Sequence, residues 1–76
     1  MREIPLSLAL PGKEVILVAI HGGRGLRVRL NSMGLNEGMK LKVLHFHGHG
    51  PCIIQAGDTR LVLGHGMAQK ILVNEE

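Results

Sequence analysis

Aromatic side chains are nearly absent from this chain, because Phe46 is the only aromatic residue and there is no Trp or Tyr. Grooves that read proline-rich peptides are lined with aromatic rings. Single-stranded nucleic acids bind by stacking their bases on several such rings. The sequence therefore disfavours both kinds of ligand, and no nucleic-acid partner is expected. The hydrophobic core has to be built from aliphatic residues.

The chain also lacks a second cysteine, a membrane-spanning run and an export signal. Cys52 is the only cysteine, so no disulfide can form within the chain. No apolar run reaches the ~20 residues that a bilayer span requires, and the first residues lack the apolar stretch of a signal peptide. These absences predict a cytoplasmic protein with a reduced thiol and no inserted segment. The length predicts one domain, residues 1–76.

Catalytic constellations are missing as well. The sequence contains no phosphate-binding Gly-x-x-x-x-Gly-Lys-Ser/Thr loop and no Gly-x-Ser-x-Gly nucleophile turn. Its carboxylates are spread along the chain and lie mostly near predicted turns or the chain ends. No acid and base pair stands out whose surroundings would separate two pKa values. The sequence therefore predicts a protein that is not an enzyme.

Short apolar strand patterns separated by turns dominate the chain. The run 13–20 is almost continuously apolar, which predicts a strand buried on both faces. Residues 39–43 alternate between apolar residues and lysine, and the apolar parity flips at Leu44 and Phe46, which predicts a bulge near residues 43 and 44. Gly57-Asp58 fits a two-residue hairpin loop. We predict a mainly β fold, a small bent barrel of about five strands. The predicted core residues are Leu17, Val43, Ile54, Leu61 and Ile71.

One short helix is predicted between two early strands. Leu26, Leu30 and Met33 recur at the spacing of one helical face. Gly34 follows at the point where a helix C-terminus favours a residue with positive φ. Because Leu26 and Leu30 already form an inward stripe, one of Met33 and Leu35 is expected to be partly exposed.

A cluster of three arginines falls mostly on the other side of this helix, in a chain of net charge +3. These residues are Arg24, Arg27 and Arg29. A basic surface can attract an acidic protein, a lipid headgroup or a phosphate backbone, or it can simply be solvated. Between these interpretations the sequence favours a solvated face first and a protein partner second.

From Leu6 to Val73 the sequence resembles the FeoA family. The resemblance rests on Arg29-Leu30-x-x-Met33-Gly34-Leu35-x-x-Gly38, preceded by Gly22-Gly23-x-Gly25. It continues through Gly50-Pro51 and through Leu63-Gly64 followed by Met67-Ala68-x-x-Ile71-x-Val73. FeoA proteins are small cytoplasmic accessory proteins of bacterial ferrous-iron uptake. The same domain is found at the C-terminus of some metal-dependent transcription regulators.

This resemblance implies an SH3-like barrel and a non-catalytic role that requires no cofactor. It also implies binding to the cytoplasmic side of the membrane GTPase FeoB, where the protein would support or regulate transport. The helix and its exits are the predicted contact surface, since an apolar patch rimmed by polar residues is typical of a protein-binding face. The predicted contact residues are Arg24, Arg29, Met33, Leu35 and Asn36.

Three histidines in alternation form the candidate metal site. His45, His47 and His49 would share one face of an extended strand, with Cys52 after the following turn. Imidazole suits Zn, Ni, Cu and Fe, so the ligands alone do not name the ion. A closed tetrahedral site needs four ligands, whereas one strand offers two without strain. We therefore expect any bound Zn, Fe or Ni to be held weakly. The alternatives to a metal site are a solvated, histidine-rich hairpin tip and, for Cys52, a small buried hydrophobe that begins a strand.

Three other functions compete with the accessory role. The first is a metal-sensing or metal-carrying module that uses the histidines and Cys52. The second is the regulatory domain of a metal-dependent repressor, although the chain lacks the DNA-binding helices that a repressor needs. The third is a nucleic-acid-associated SH3-like barrel, which the scarcity of aromatics and the modest charge disfavour. Self-association stays open at this point.

Overall fold

Six antiparallel strands form a single sheet in the computed structural model, which describes residues 2–46 and 50–75. The strand order across the sheet is β1-β6-β2-β3-β4-β5, so β1 and β5 are its edges. In chain order the elements are β1 (Arg2–Pro5), a 3₁₀ helix (Leu6–Leu8), β2 (Glu14–Ile20), α1 (Arg24–Ser32), β3 (Lys40–Phe46), β4 (Cys52–Ala56), β5 (Thr59–Leu63), α2 (His65–Gln69) and β6 (Ile71–Glu75).

The mainly β fold with a helix between two early strands is confirmed, but the number of strands was predicted too low. The additional strand is β1, which pairs only with β6 and places Ile4 opposite Val73. Its four residues end in Pro5, and proline is tolerated in a strand chiefly at a sheet edge. A segment so short carries no clear alternation, which explains why the sequence pattern missed it.

Strand β2 is not buried on both faces, as its apolar run had suggested. Val15, Leu17 and Ile20 are buried, whereas Ile16 and Val18 are half-buried. The antiparallel sheet covers one face of the strand with the core and leaves the other face partly open. A register shift between Leu17 and Ala19, in the pairing with β6, bends the strand.

The predicted bulge in β3 is confirmed. The pairing of β3 with β4 shifts register between Val43 and His45. Leu44 is half-buried and His45 is exposed, so the bulge directs the histidine outward. The hairpin between β4 and β5 is also confirmed, with Gly57 at φ 62° in the first loop position. Asp58, the second loop residue, has no positive φ, so the loop is a type II′ turn and not a type I′ turn, which needs positive φ at both positions.

The core lies inside the bent sheet and is closed by side chains from the 3₁₀ helix, α1 and α2. Of the predicted core residues, Leu17, Val43, Ile54 and Ile71 are fully buried. The prediction for Leu61 was wrong, because this residue is only half-buried and packs against the outside of the core from the edge strand β5. The largest fully buried side chains are Leu6, Leu17, Leu30, Leu35, Leu41, Ile54, Leu63 and Ile71.

The predicted helix forms over Arg24–Ser32, within the expected segment. The second helix, α2, has five residues. In the part of the chain that the structure describes, neither helix has the length and apolar character needed to cross a bilayer.

Candidate functional site

Helix α1 is attached to the sheet by a small apolar contact. Leu30 is its only buried residue, and Leu26 packs against the core while half-buried. The remaining residues of the helix are exposed. Because so little of α1 is buried, most of its surface is open for contact with other molecules.

The end of α1 is fixed by a Schellman motif around Gly34. The N–H of Leu35 donates to the carbonyl of Leu30 over 3.0 Å, and the N–H of Gly34 donates to the carbonyl of Asn31 over 3.0 Å. Gly34 adopts φ 95°, as the motif requires. The same motif brings the residue after the glycine against the last inward residue of the helix, and both Leu30 and Leu35 are fully buried.

Leu35 is therefore a core residue, and its prediction as a partner contact was wrong. The expectation that one of Met33 and Leu35 is partly exposed is met by Met33, which is half-buried. The Leu-x-x-x-Gly-Leu pattern in the sequence indicates that Leu35 is buried, and the sequence analysis overlooked it. In a Schellman motif the apolar residue after the glycine packs back on the helix.

The other predicted contact residues do not share one surface. At 100° per residue, Arg24 and Met33 lie nine residues apart and thus on opposite sides of the helix. Arg29 and Met33 are four residues apart and lie on the same side. Asn36 is exposed in the loop that follows Gly34. The structure therefore separates Arg24 from the Arg29–Met33 side.

A second methionine, which the sequence analysis did not select, contacts Asn36 in the loop after α1. The thioether Sδ of Met39 lies 3.2 Å from the backbone N–H of Asn36 and 3.9 Å from its side-chain nitrogen. Met39 is half-buried and packs against the core, like Met33. We refer to Arg29, Met33, Asn36 and Met39 as the C-terminal flank of α1. Met39 was read only as the first residue of an alternating strand.

The candidate metal ligands are not brought together in the part of the chain that the structure describes. His47 and His49 lie outside the described residues, and His45 is exposed on β3. Cys52 is fully buried. In the β3–β4 ladder His45 is opposite Ile53 and Phe46 is opposite Cys52, so His45 and Cys52 belong to different faces of the sheet.

Cys52 is therefore not placed beside His45, and its assignment as a metal ligand stays a prediction. Burial raises the pKa of its thiol, which opposes formation of the thiolate that binds metals. Within residues 2–46 and 50–75, no three His, Cys, Asp or Glu side chains are placed to hold a metal ion. Metal binding through the three histidines stays a prediction.

An open groove of about 310 Å³ crosses the outer face of β2, β3 and β4. Lys42 lies at its centre, opposite Glu14 on one neighbouring strand and Gln55 on the other. Its walls also include Lys40, Leu41 and Gly57.

Comparison with known proteins identifies the fold and the family. The FeoA domain model matches residues 4–75. A Methanocaldococcus jannaschii protein named "Putative Fe(2+) transport protein A" is 44% identical over 71 residues, which cover 93% of this chain and 85% of that protein.

Solved structures agree. The crystal structure of an iron uptake regulatory protein (FeoA) superposes with a TM-score of 0.91 at 40% identity, covering 99% of this chain and 100% of that one. The solution structure of the FeoA protein from Chlorobium tepidum gives a TM-score of 0.84 at 29% identity, with 95% and 70% covered. A manganese-dependent transcriptional repressor gives 0.88 at 20% identity, where 97% of this chain matches 42% of the repressor. That last likeness concerns the fold alone.

The SH3-like fold and the accessory role implied by the sequence resemblance are thus confirmed at the level of the family. FeoA proteins are small accessory transport proteins and not enzymes. With 72 consecutive residues (4–75) matched by the family model and a relative at 44% identity, the chain belongs to the FeoA family of Fe(2+) transport accessory proteins.

Proposed function

We propose that this protein binds the cytoplasmic side of the membrane GTPase FeoB and modulates its transport of Fe(2+). Family membership supplies the link to Fe(2+) transport. The chain has no phosphate loop and no catalytic constellation, so its contribution is a contact surface rather than chemistry on the nucleotide. No resident cofactor is assigned to this role.

The observation that carries the proposal is the C-terminal flank of α1. Met33 and Met39 are both half-buried, and in the sequence they lie on either side of the exposed Asn36. Arg29 lies one helical turn before Met33. Methionine adapts its shape to a partner and is common on protein-binding surfaces. An arginine beside such a patch adds a directed charge and is among the residues that contribute most to interfaces.

The underlying backbone keeps this flank in place. The N–H of Gly38 donates to the carbonyl of Leu17 over 2.7 Å, and the N–H of Leu17 donates to the carbonyl of Met39 over 2.8 Å. The loop after α1 is thus hydrogen-bonded to β2. A surface that is already ordered loses less conformational entropy when a partner binds.

The metal-sensor alternative is weaker than the accessory role. Cys52 is buried, and burial raises the pKa of its thiol, which disfavours the thiolate that binds metals. Of the three histidines, His45 is the one that the structure describes. The role in FeoB binding does not depend on them.

Calorimetry with the purified cytosolic GTPase domain of FeoB from the same genome tests the proposal. We expect wild-type protein to bind, and Arg29→Glu to weaken binding by about tenfold or more, as truncation of an interface hot spot does. Arg60→Glu is the matched control, because Arg60 is exposed on β5 and undergoes the same charge change. Equal weakening by both variants, or no binding by the wild type, would contradict the proposal.

The GTPase rate measured in the same mixtures tests modulation. We expect the rate of the FeoB domain to change with wild-type protein and to change less with Arg29→Glu. The protein alone should hydrolyse no GTP, since it lacks a phosphate-binding loop. Hydrolysis by the isolated protein would contradict the non-catalytic role.

A further inference from the structure

Basic residues are concentrated on α1, whereas elsewhere in the chain lysines and arginines are interleaved with acidic residues, the first of which after α1 is Glu37. The segment from Val15 to Asn36 contains no Asp or Glu, although it includes all three arginines of α1. Glu14 stands at the start of β2, whereas α1 follows the end of that strand. Glu75 is paired with Val15, beside Glu14 in the ladder. Seven strand residues rising ~3.3 Å each separate these carboxylates from α1 by roughly 20 Å.

Lys70 joins the basic end from another part of the chain. A Cβ placed on Gly22 would lie 2.9 Å from Cδ of Lys70 and 2.8 Å from Cδ2 of Leu26. The aliphatic part of Lys70 therefore passes directly over the loop that leads into α1. The N–H of His21 donates to the Lys70 carbonyl over 2.6 Å, which holds the two segments together. Lys70 is exposed, and its side chain lies beside Gly22 and Leu26 at the start of the helix segment.

An exposed valine completes this surface. Val28 is 58% exposed and lies about 200° around the helix from the buried Leu30. Arg24 precedes Val28 by one turn, and Arg27 is one turn from Arg24, so Arg24 neighbours both side chains. We call Arg24, Arg27 and Val28 the basic helix face, and Lys70 lies beside the loop that leads into it. It is a different surface from the C-terminal flank, since Arg24 and Met33 lie on opposite sides of α1.

We propose that the basic helix face docks on a membrane surface rich in anionic phospholipid. Each Lys or Arg near such a surface contributes about 1 kcal/mol, which corresponds to about a fivefold gain in binding. Charges of one sign gathered at one end also orient the molecule as it approaches. This inference does not rest on FeoB binding, because it concerns other residues and another ligand.

The shape of the face favours lipid over an acidic protein. It is the convex side of a helix with one apolar residue, and the groove that the structure offers lies on β2, β3 and β4 instead. A protein interface depends on packing complementary to its partner. A layer of headgroups accepts a convex cationic surface without such complementarity, and Val28 can contact the interfacial region without insertion of a segment.

A second copy of this chain is a poorer ligand for the basic helix face. The opposite end of the molecule, which carries Glu14 and Glu75, is not uniformly acidic. Lys42 is paired directly with Glu14, and Lys13 precedes Glu14 in the chain. Interleaved lysines reduce the negative potential that the arginines would need.

Vesicle flotation with the full chain tests this inference. The probes are phosphatidylcholine vesicles and phosphatidylcholine vesicles in which about a third of the lipid is phosphatidylglycerol. We expect binding to the anionic vesicles only, and loss of that binding in molar salt, where the Debye length falls to about 3 Å. Arg24→Gln/Arg27→Gln should weaken binding by about 25-fold, at fivefold for each arginine.

The matched control is Lys13→Gln/Lys42→Gln, which removes the same charge from exposed residues at the other end. We expect it to retain most of the vesicle binding. Equal losses in the two double variants would show a response to net charge alone and would overturn the proposal. Absence of binding by the wild type would overturn it as well.

Two further measurements distinguish membrane binding by the basic helix face from binding to a second copy of the chain or to a protein partner. Sedimentation without vesicles should give the same oligomeric state for wild type and Arg24→Gln/Arg27→Gln; a change would assign the face to a second copy and overturn the proposal. In calorimetry, we expect this double variant to bind the FeoB domain as tightly as the wild type does. Loss of FeoB binding together with retained vesicle binding would assign the face to a protein partner instead.

Discussion

The sheet and helix α1 differ in the number of fully buried side chains that each contributes to the core. Strands β2, β3, β4 and β6 each place two or more fully buried side chains in the core. Helix α1 places one, Leu30, and is exposed over most of its length. Burial of apolar area is the main source of stability, so the sheet determines the fold and the helix is added to it. The residues proposed for recognition lie on or beside the element that the core constrains least.

Truncation of a buried side chain inside the sheet should have the largest effect on the free energy of unfolding. Ile54→Ala removes a fully buried side chain and should cost ~2–5 kcal/mol of the free energy of unfolding. That is most of the stability of a small domain, so the variant should be largely unfolded near physiological temperature. Urea unfolding followed by circular dichroism measures this.

Leu61→Ala is the internal control, because Leu61 is the cross-strand partner of Ile54 but is only half-buried. We expect it to cost roughly half as much, since less apolar area returns to water. Equal urea midpoints for the two variants would mean that the edge strand is as deeply packed as the centre of the sheet.

Truncation at the helix anchor should have a smaller and more local effect. Leu30→Ala removes the one deeply buried contact of α1 and is expected to cost ~2–4 kcal/mol. Much of this cost should appear as local opening, because regions with few buried contacts unfold below the global free energy. Hydrogen exchange should therefore lose protection at the Met33 and Leu35 amides, while the amide of Leu17 in β2 retains more of it.

A uniform loss of protection in Leu30→Ala would show that α1 and the sheet unfold as one unit. In that case the comparison between a fixed sheet and a lightly attached helix is wrong. Val28→Ala, on the exposed face of the same helix, should leave protection at all three amides nearly unchanged.

The elements that the sequence predicted correctly are those with a local signal. The bulge at Val43 and Leu44 was readable from the change in apolar parity, and the end of α1 from Gly34. The core prediction for Leu61 was wrong because apolar alternation indicates only which face of a strand a residue is on. How deeply Leu61 is buried depends on the position of β5 at the edge of the sheet. Strand β1 was missed for a related reason, since its pairing with β6 joins residues from the two ends of the chain.

The candidate surfaces were less predictable than the fold. The three arginines were predicted to lie mostly on the side of α1 away from Met33, and all three are exposed. The four-residue spacing of Arg29 and Met33 puts these two residues on the same side, which the sequence analysis overlooked. Lys70 could not be associated with α1 from sequence, because their proximity depends on β6 pairing with β2 beside the Gly22 loop.

The smallest expected effects come from two glycines of the helix segment, and they have opposite signs. Gly34 adopts φ 95° and Gly25 lies inside α1, and an added Cβ would meet no described atom within 4 Å at either position. Gly34→Ala should therefore cost ~1–2 kcal/mol through the left-handed backbone alone. Gly25→Ala should instead stabilise the protein by ~0.5–1 kcal/mol, since alanine restricts the unfolded chain and favours the helix. Urea midpoints at unchanged slope measure both, and a destabilised Gly25→Ala would mean that backbone conformation does not limit the stability of α1.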